Sequence, residues 1–211
     1  MLCFSKPKIG KSILVTQMLQ ALATAGQFFA STVTAPMQAV MLQADTPPGI
    51  WQEELAQTGL PTDSPVHTLF LDPGALSKNL TPVLAQLAPL RPCYLAFDAI
   101  DSLFAGLDIN EPEPAKEVLR RLRRVAQGHA FLAIHHARKG SPGEVEDLRD
   151  AAAGSRILME QADQVVFIRG NTGPIEITGR LMSHTYERRT LKRTAGGLWQ
   201  YTPPTAPRLS P

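Results

Sequence analysis

Ser5-Lys6-Pro7-Lys8-Ile9-Gly10-Lys11-Ser12 is the stretch that decides the fold of this chain. It lies one position away from G-x-x-x-x-G-K-[ST], the pattern of a phosphate-wrapping loop, with Ser5 where the pattern has its first glycine. Each residue type has a physical task. Gly10 lets backbone N–H groups close around phosphate oxygens. Lys11 brings a point charge to the β- and γ-phosphates, and the Ser12 hydroxyl can ligate Mg²⁺. On this reading Ser5 to Ile13 bind the cofactor, ATP with Mg²⁺. The flanks agree: Met1-Leu2-Cys3-Phe4 is predicted as the end of a buried strand, and Lys11 to about Thr24 as a helix whose N-terminus faces the phosphates. An ordinary strand-turn-helix with a basic turn is the plain alternative, and a second motif further along weighs against it.

The chain has 211 residues, enough for one α/β domain with a sizeable core. Hydrophobic residues make up 44% and charged residues 19%, which excludes a disordered chain. A net charge of +2 is too small to argue for nucleic acid by itself. From Glu176 onward the chain is locally basic, with Arg180, Arg188, Arg189, Lys192, Arg193 and Arg208 against Glu176 and Glu187. Cys3 and Cys93 each fall inside a predicted buried strand and read as small core hydrophobes, with no disulfide framework or metal spacing. No apolar run reaches membrane-spanning length, and no basic segment precedes an apolar stretch at the N-terminus. A cytoplasmic protein without membrane partners is expected. One domain over residues 1–202 is predicted, followed by a Pro-rich tail, 203–211, read as extended or disordered.

Apolar runs alternate with helical patterns. Strands are predicted at Ala39–Leu42, ending near Asp45, at Val66–Leu71, at Cys93–Phe97, ending on Asp98, and at Ala130–Ile134, ending on His135-His136. Helices are predicted over about Ile50–Thr58, Leu80–Leu87 and Glu113–Gln127. Near-continuous apolar strands separated by helices imply a mostly parallel sheet covered on both faces. After Ala151–Gln161 the pattern changes to short strands at Val165–Ile168, Ile175–Thr178, Thr190–Lys192 and Leu198–Tyr201. Turns are expected at Gly170-Asn171, Gly173-Pro174 and Gly196-Gly197, so antiparallel strands are expected to close the domain.

Ligands of such sheets bind at the carboxyl ends of the strands, where Ser5, Asp45, Asp72, Asp98, His135 and His136 stand. Asp98 suits a second magnesium-shell carboxylate, holding Mg²⁺ through water beside Ser12; the alternative is a turn cap. Asp45 could orient and deprotonate the water that attacks the γ-phosphate, or could cap the helix after Pro47-Pro48. Successive strand residues point to opposite faces, so only one of His135 and His136 can face a nucleotide.

Four segments carry a resemblance: Lys6 to Ser12, Leu95-Ala96-Phe97-Asp98, Ile134-His135-His136-Ala137-Arg138-Lys139-Gly140, and Gly154-Ser155-Arg156. Over about Met1 to Arg180 the chain resembles the RepA-type branch of the RecA/DnaB superfamily, hexameric replicative helicases and related ATPases. The resemblance implies a RecA-like P-loop NTPase core, Mg-ATP hydrolysis between subunits of a homo-oligomeric ring, and translocation on single-stranded DNA. It also implies catalytic roles for Lys11, Asp45, Asp98, His136 and Arg180, with Ser12 and Asp98 at the metal. His136 would sense the γ-phosphate, and Arg180 would be a finger reaching the neighbouring subunit's ATP. Three departures stand out: Ser5 replaces a glycine, Asp45 is one methylene shorter than the family's Glu, and the chain begins almost at the loop.

The polar loop from Arg138 to Gly154 could line a ring channel, with Arg138, Lys139 and Arg149 on DNA phosphates. Its acids Glu144, Glu146, Asp147 and Asp150 leave a solvated surface loop equally open. Arg120, Arg121, Arg123 and Arg124 wrap around a helix and are expected to be solvated or paired with acids such as Glu117. Besides the motor, two readings remain: a mediator ATPase of the same fold that barely hydrolyses ATP, favoured by Ser5 and Asp45, and a small-molecule kinase, disfavoured by the absence of an Arg-rich lid segment.

Overall fold

Alternation along each apolar strand dictates the architecture, because both faces of every central strand must be covered. In the computed structural model, residues 1–5, 10–29, 31–58, 65–136, 156–169, 174–181 and 184–202 are described. Lys6–Ile9, Arg138, Lys139, Arg149, the Gly154-Ser155 pair, Gly170-Asn171 and the tail 203–211 lie outside them.

Among the described residues, nine strands form one sheet. They are β1 (Leu2–Ser5), β4 (Gln38–Gln43), β5 (Val66–Phe70), β6 (Cys93–Asp98), β7 (Phe131–His136), β8 (Gln164–Arg169), β9 (Ile175–Leu181), β10 (His184–Arg193) and β11 (Trp199–Thr202). Their order is β11-β10-β9-β8-β1-β7-β6-β4-β5. A separate two-stranded hairpin, β2 (Gln27–Phe28) with β3 (Ser31–Thr32), follows the first helix; sequence reading did not anticipate it.

The strands from β5 through β8 in this order are parallel, and β9, β10 and β11 are antiparallel. The expected parallel core with C-terminal antiparallel strands is present, with one correction. β8, expected among the antiparallel strands, runs parallel to β1, with Leu2 opposite Val165 and Ser5 opposite Ile168. Its pattern is that of a strand buried between neighbours, and periodicity carries no direction. β10 is also much longer than the three residues expected.

Two apolar layers sandwich the sheet. On one face Cys3, Met41, Ala96 and Ile134 meet helix α1 (Lys11–Thr24) through Ile13, Leu14 and Leu19, and α2 (Pro48–Thr58) through Trp51. On the other, Phe4, Val40, Leu42, Leu95 and Phe97 meet α4 (Thr81–Leu87) and α6 (Pro112–Ala126) through Val83, Leu87, Val118, Leu122 and Val125. Each buried Leu, Val or Phe contributes about 1.5–3 kcal/mol. Arg120 and Arg121 of α6 bond Glu117 at 2.6 and 2.5 Å, and Arg121 also donates to the Leu76 carbonyl at 2.8 Å.

Register brings the site together. Ser5 lies opposite His136, and Gln43 opposite Asp98, so four strand ends share one edge of the sheet. Just beyond β6, the short helix α5 (Ile100–Leu103) turns Asp101 and Ser102 back toward this edge.

Candidate functional site

Gly10 starts α1 from a left-handed conformation, φ 83° and ψ 30°, which a residue with a Cβ adopts only at a cost. The helix has no side-chain N-cap, so its first N–H groups remain available to a ligand. A cavity of about 940 Å³ opens over this N-terminus, within the size range of nucleotide-sized ligands. Gly10, Lys11, Ser12, Ile13, Asp45, Asp98 and His136 all line it.

Lys11 is buried, with 5% of its surface exposed. Burial is the largest influence on its ammonium and lowers its pKa, against the pull of Asp98, Asp45 and Asp101. Its Nζ lies 3.2 Å from His136 Nδ1, and His136 Nε2 lies 3.1 Å from Asp45 Oδ2. A neutral imidazole fits both contacts: Nε2–H donates to Asp45, and Nδ1 accepts from Lys11. Asp45 Oδ1 accepts from Ser102 Oγ. The bond from His136 is the first cause holding the Asp45 carboxyl below the usual range; burial opposes it, and Ser102 and Lys11 assist.

Asp98 is almost wholly buried. Burial pushes its pKa up, while hydrogen bonds from Ser12 and from Gln43 Nε2, the latter at 3.0 Å, pull it down. Gln43 Oε1 accepts from the Asp45 amide at 2.9 Å, so one glutamine braces both carboxylate-bearing segments. His135 turns to the opposite side, as alternation requires. Its Nδ1 lies 2.8 Å from Asp101 Oδ2, and its ring packs on Phe4 at 5.2 Å between centroids. Asp101 Oδ2 also accepts the His136 amide at 3.0 Å, which anchors the end of β7. The thiol of Cys3 behind this site is pushed up to about 12 by burial and is inert at neutral pH.

A buried Lys and a hydroxyl at the start of a glycine-initiated helix, with a buried Asp and a histidine at two adjacent strand ends, form the chemistry of a phosphate-loop site. A family model described as an AAA domain matches residues 2–142, which contain all of these groups. The chain belongs to the AAA-domain family. This AAA domain is a P-loop ATPase domain. Its fold matches solved structures at high coverage. One, an ATPase domain, is 11% identical with a TM-score of 0.66, over 95% of this chain and 84% of that one. Another, a DnaB-like replicative helicase described with its interactions with primase, is 12% identical with a TM-score of 0.66. The match covers 94% of this chain and 57% of that helicase, so the AAA domain spans little more than half its length. At such identities the shared property is the RecA-like fold expected from the sequence. No curated protein sequence matches the chain.

The backbone of Arg180 does not lie at the ligand edge. It sits in β9 opposite Val165, which in turn lies opposite Leu2, so it stands at the far end of the strands from the AAA domain's own phosphate loop. Gln43, Asp101, Ser102, Arg193 and Trp199 belong to the site or brace it and were not singled out from sequence. Asp45, the candidate base or helix cap, directs its described side-chain bonds across the sheet to Ser102 and His136 rather than to α2.

Proposed function

We propose that this chain is an ATP-driven DNA motor, the ATPase unit of a ring-forming replicative helicase that hydrolyses Mg-ATP between subunits while moving on single-stranded DNA. The observation that carries the reading is the convergence of Lys11, Ser12, Asp98, Asp45 and His136 on one cavity at the N-terminus of α1. These residues fit Mg-ATP: the Ser12–Asp98 pair offers a hydroxyl and a carboxylate to a hard cation, and Lys11 with the helix N-terminus offers positive charge to phosphate. Mg-ATP would supply the γ-phosphoryl group and the charge that stabilises its transfer.

The protein's part is positioning and proton handling. Lys11 would give up its His136 contact for phosphate. A phosphate oxygen only accepts, so His136, relieved of Lys11, would serve the γ-phosphate through a protonated Nδ1 while Nε2–H stays on Asp45. Asp45 accepts the proton of the attacking water. Arg180 serves a neighbour's site across a subunit interface, and Arg138, Lys139 and Arg149 contact DNA phosphates. The domain spans residues 1–202, and the assembly works in the cytoplasm; among the described residues no helix is long and apolar enough to cross a membrane.

One observation favours the mediator reading, in which ATP is bound and barely hydrolysed. Both oxygens of Asp45 are already engaged, by Ser102 and by His136, and its side chain is a methylene shorter than Glu. ATP turnover measured with and without single-stranded DNA, beside the particle mass in ATP, separates the two. DNA-stimulated turnover by a ring supports the motor. Tight ATP binding with no turnover under either condition replaces it with the mediator.

A further inference from the structure

One wall of the cavity comes from the other end of the chain. The turn between β10 and β11, Thr194 to Gly197, closes it, and Arg193 stands at its start. The turn is tightly tied to the loop side. Gln17 of α1 donates to the Trp199 carbonyl at 3.0 Å and accepts from the Trp199 amide at 2.8 Å. Trp199 Nε1 donates to the Gly10 carbonyl at 3.0 Å. Arg193 lies over the Trp199 ring, 5.6 Å from its centroid, and its Nε donates to Gly197 O at 3.0 Å. A Cβ built on Gly10 would sit 3.5 Å from an Arg193 terminal nitrogen. Among the described residues Arg193 forms no ion pair with an acid. A guanidinium thus sits beside the first turn of α1, a second cation in the wall that holds Lys11.

We propose that Arg193 is a nucleotide-binding residue acting in cis: its guanidinium contacts the polyphosphate held by its own subunit's loop, and Trp199 positions it. The proposal rests on the reading of the cavity as a triphosphate site. A planar fork of donors matches phosphate oxygens two at a time, and stacking on an indole holds that fork with little further loss of freedom. The Trp199–Gly10 bond ties the indole under this cation to the start of α1. This role differs from that of Arg180, which stands at the opposite edge of the sheet.

The test is calorimetric titration of the full chain with Mg-ATP, Mg-ADP and adenosine. Arg193→Met keeps much of the packing on Trp199 and removes the charge. It should weaken ATP and ADP by about ten- to a hundredfold, the worth of a charge-assisted hydrogen bond, and change adenosine affinity by much less. Trp199→Phe should give a smaller loss in the same phosphate-selective sense. If Arg193→Met does not fold, Arg193→Lys carries the test: charge without the fork should cost ATP affinity several-fold and spare adenosine. Equal weakening of all three ligands would make Arg193 a structural residue and overturn the proposal. So would ATP affinity equal to the parent's while Lys11→Ala has lost it, an outcome that leaves the loop reading standing. A parent that binds no ATP overturns both. Restored turnover on mixing Arg193→Met with Lys11→Ala would place the residue in trans, against the proposal.

Discussion

Gly10→Ala is the substitution whose cost can be worked most directly from the geometry. Gly10 has φ +83°, and a Cβ added there would meet Trp199 Nε1 at 3.2 Å and Cζ2 at 3.3 Å. The left-handed conformation alone costs an L-residue about 1–2 kcal/mol. The indole cannot retreat freely, because Trp199 is held by Gln17 at both its amide and its carbonyl. Relief of the crowding therefore stretches the 3.0 Å bond from Nε1 to Gly10 O. For a chain of this length, about 2–4 °C of thermal midpoint accompany each kcal/mol, so a fall of about 2–8 °C is expected from backbone strain. Nucleotide affinity should drop as well, because the same residue sets the first N–H groups of α1. Differential scanning fluorimetry with and without Mg-ATP measures both. The tryptophan fluorescence of Trp199 should shift too, while Trp51, buried between α2 and the sheet, should not respond. An unchanged midpoint with unchanged ATP affinity would refute the argument that Gly10 is a left-handed helix start crowded by Trp199.

Asp98→Asn should raise the midpoint of the ligand-free protein, because burial holds the Asp98 pKa above the ordinary carboxylate value of about 3.9, and its ionised form is a cost that sets in above that pH. The gain over the parent should grow as pH rises from 4 to neutrality, and Mg²⁺-dependent turnover should collapse; a variant that keeps its Mg²⁺ dependence would remove Asp98 from the metal. Asp45 has the opposite sign. Its depressed pKa contributes stability that is present above 3.8 and lost as pH falls through the folded value, so Asp45→Ala should be less stable than the parent at neutral pH and nearly equal to it in acid. Asp45→Glu should keep or raise ATP turnover where Asp45→Ala abolishes it, and normal turnover in the Ala variant would make Asp45 a bracing residue only. Arg180→Ala should leave ATP affinity and midpoint nearly intact while turnover falls by a factor of about 10³–10⁵. Mixing it with Lys11→Ala should recover activity at interfaces that pair an intact loop with an intact finger, and confirmed mixed rings without recovery would exclude a finger in trans.

What was legible in the sequence follows from how a parallel sheet presents its chemistry. Apolar strands end abruptly on polar residues at the ligand edge, so Asp98 and His136 could be picked out by where the apolar run stops. Alternation then assigned the two histidines to opposite sides, and His135 does turn to Asp101. Gln43 was invisible because it closes an apolar strand as its last member, where a polar residue reads as the loop beginning. Asp101 and Ser102 lie on a helix of a single turn, too short to have a period. The Trp199 contact with Gly10 joins residues 189 positions apart, and β11 lies at the sheet edge with β10, β9 and β8 between it and β1, so neither sequence spacing nor strand order announces the contact. Direction was likewise hidden for β8: its side-chain pattern is the same whether it runs with β1 or against it.

The central claim is that the cavity over α1 is a Mg-ATP site built on Lys11. It is tested most directly by calorimetric titration of Mg-ATP into the parent and into Lys11→Ala. The parent should bind one nucleotide per chain and the variant none at the same concentrations, with its ligand-free midpoint close to the parent's or higher, since a buried ammonium has been removed. Equal affinity in the two proteins, or no binding to the parent, would contradict the account.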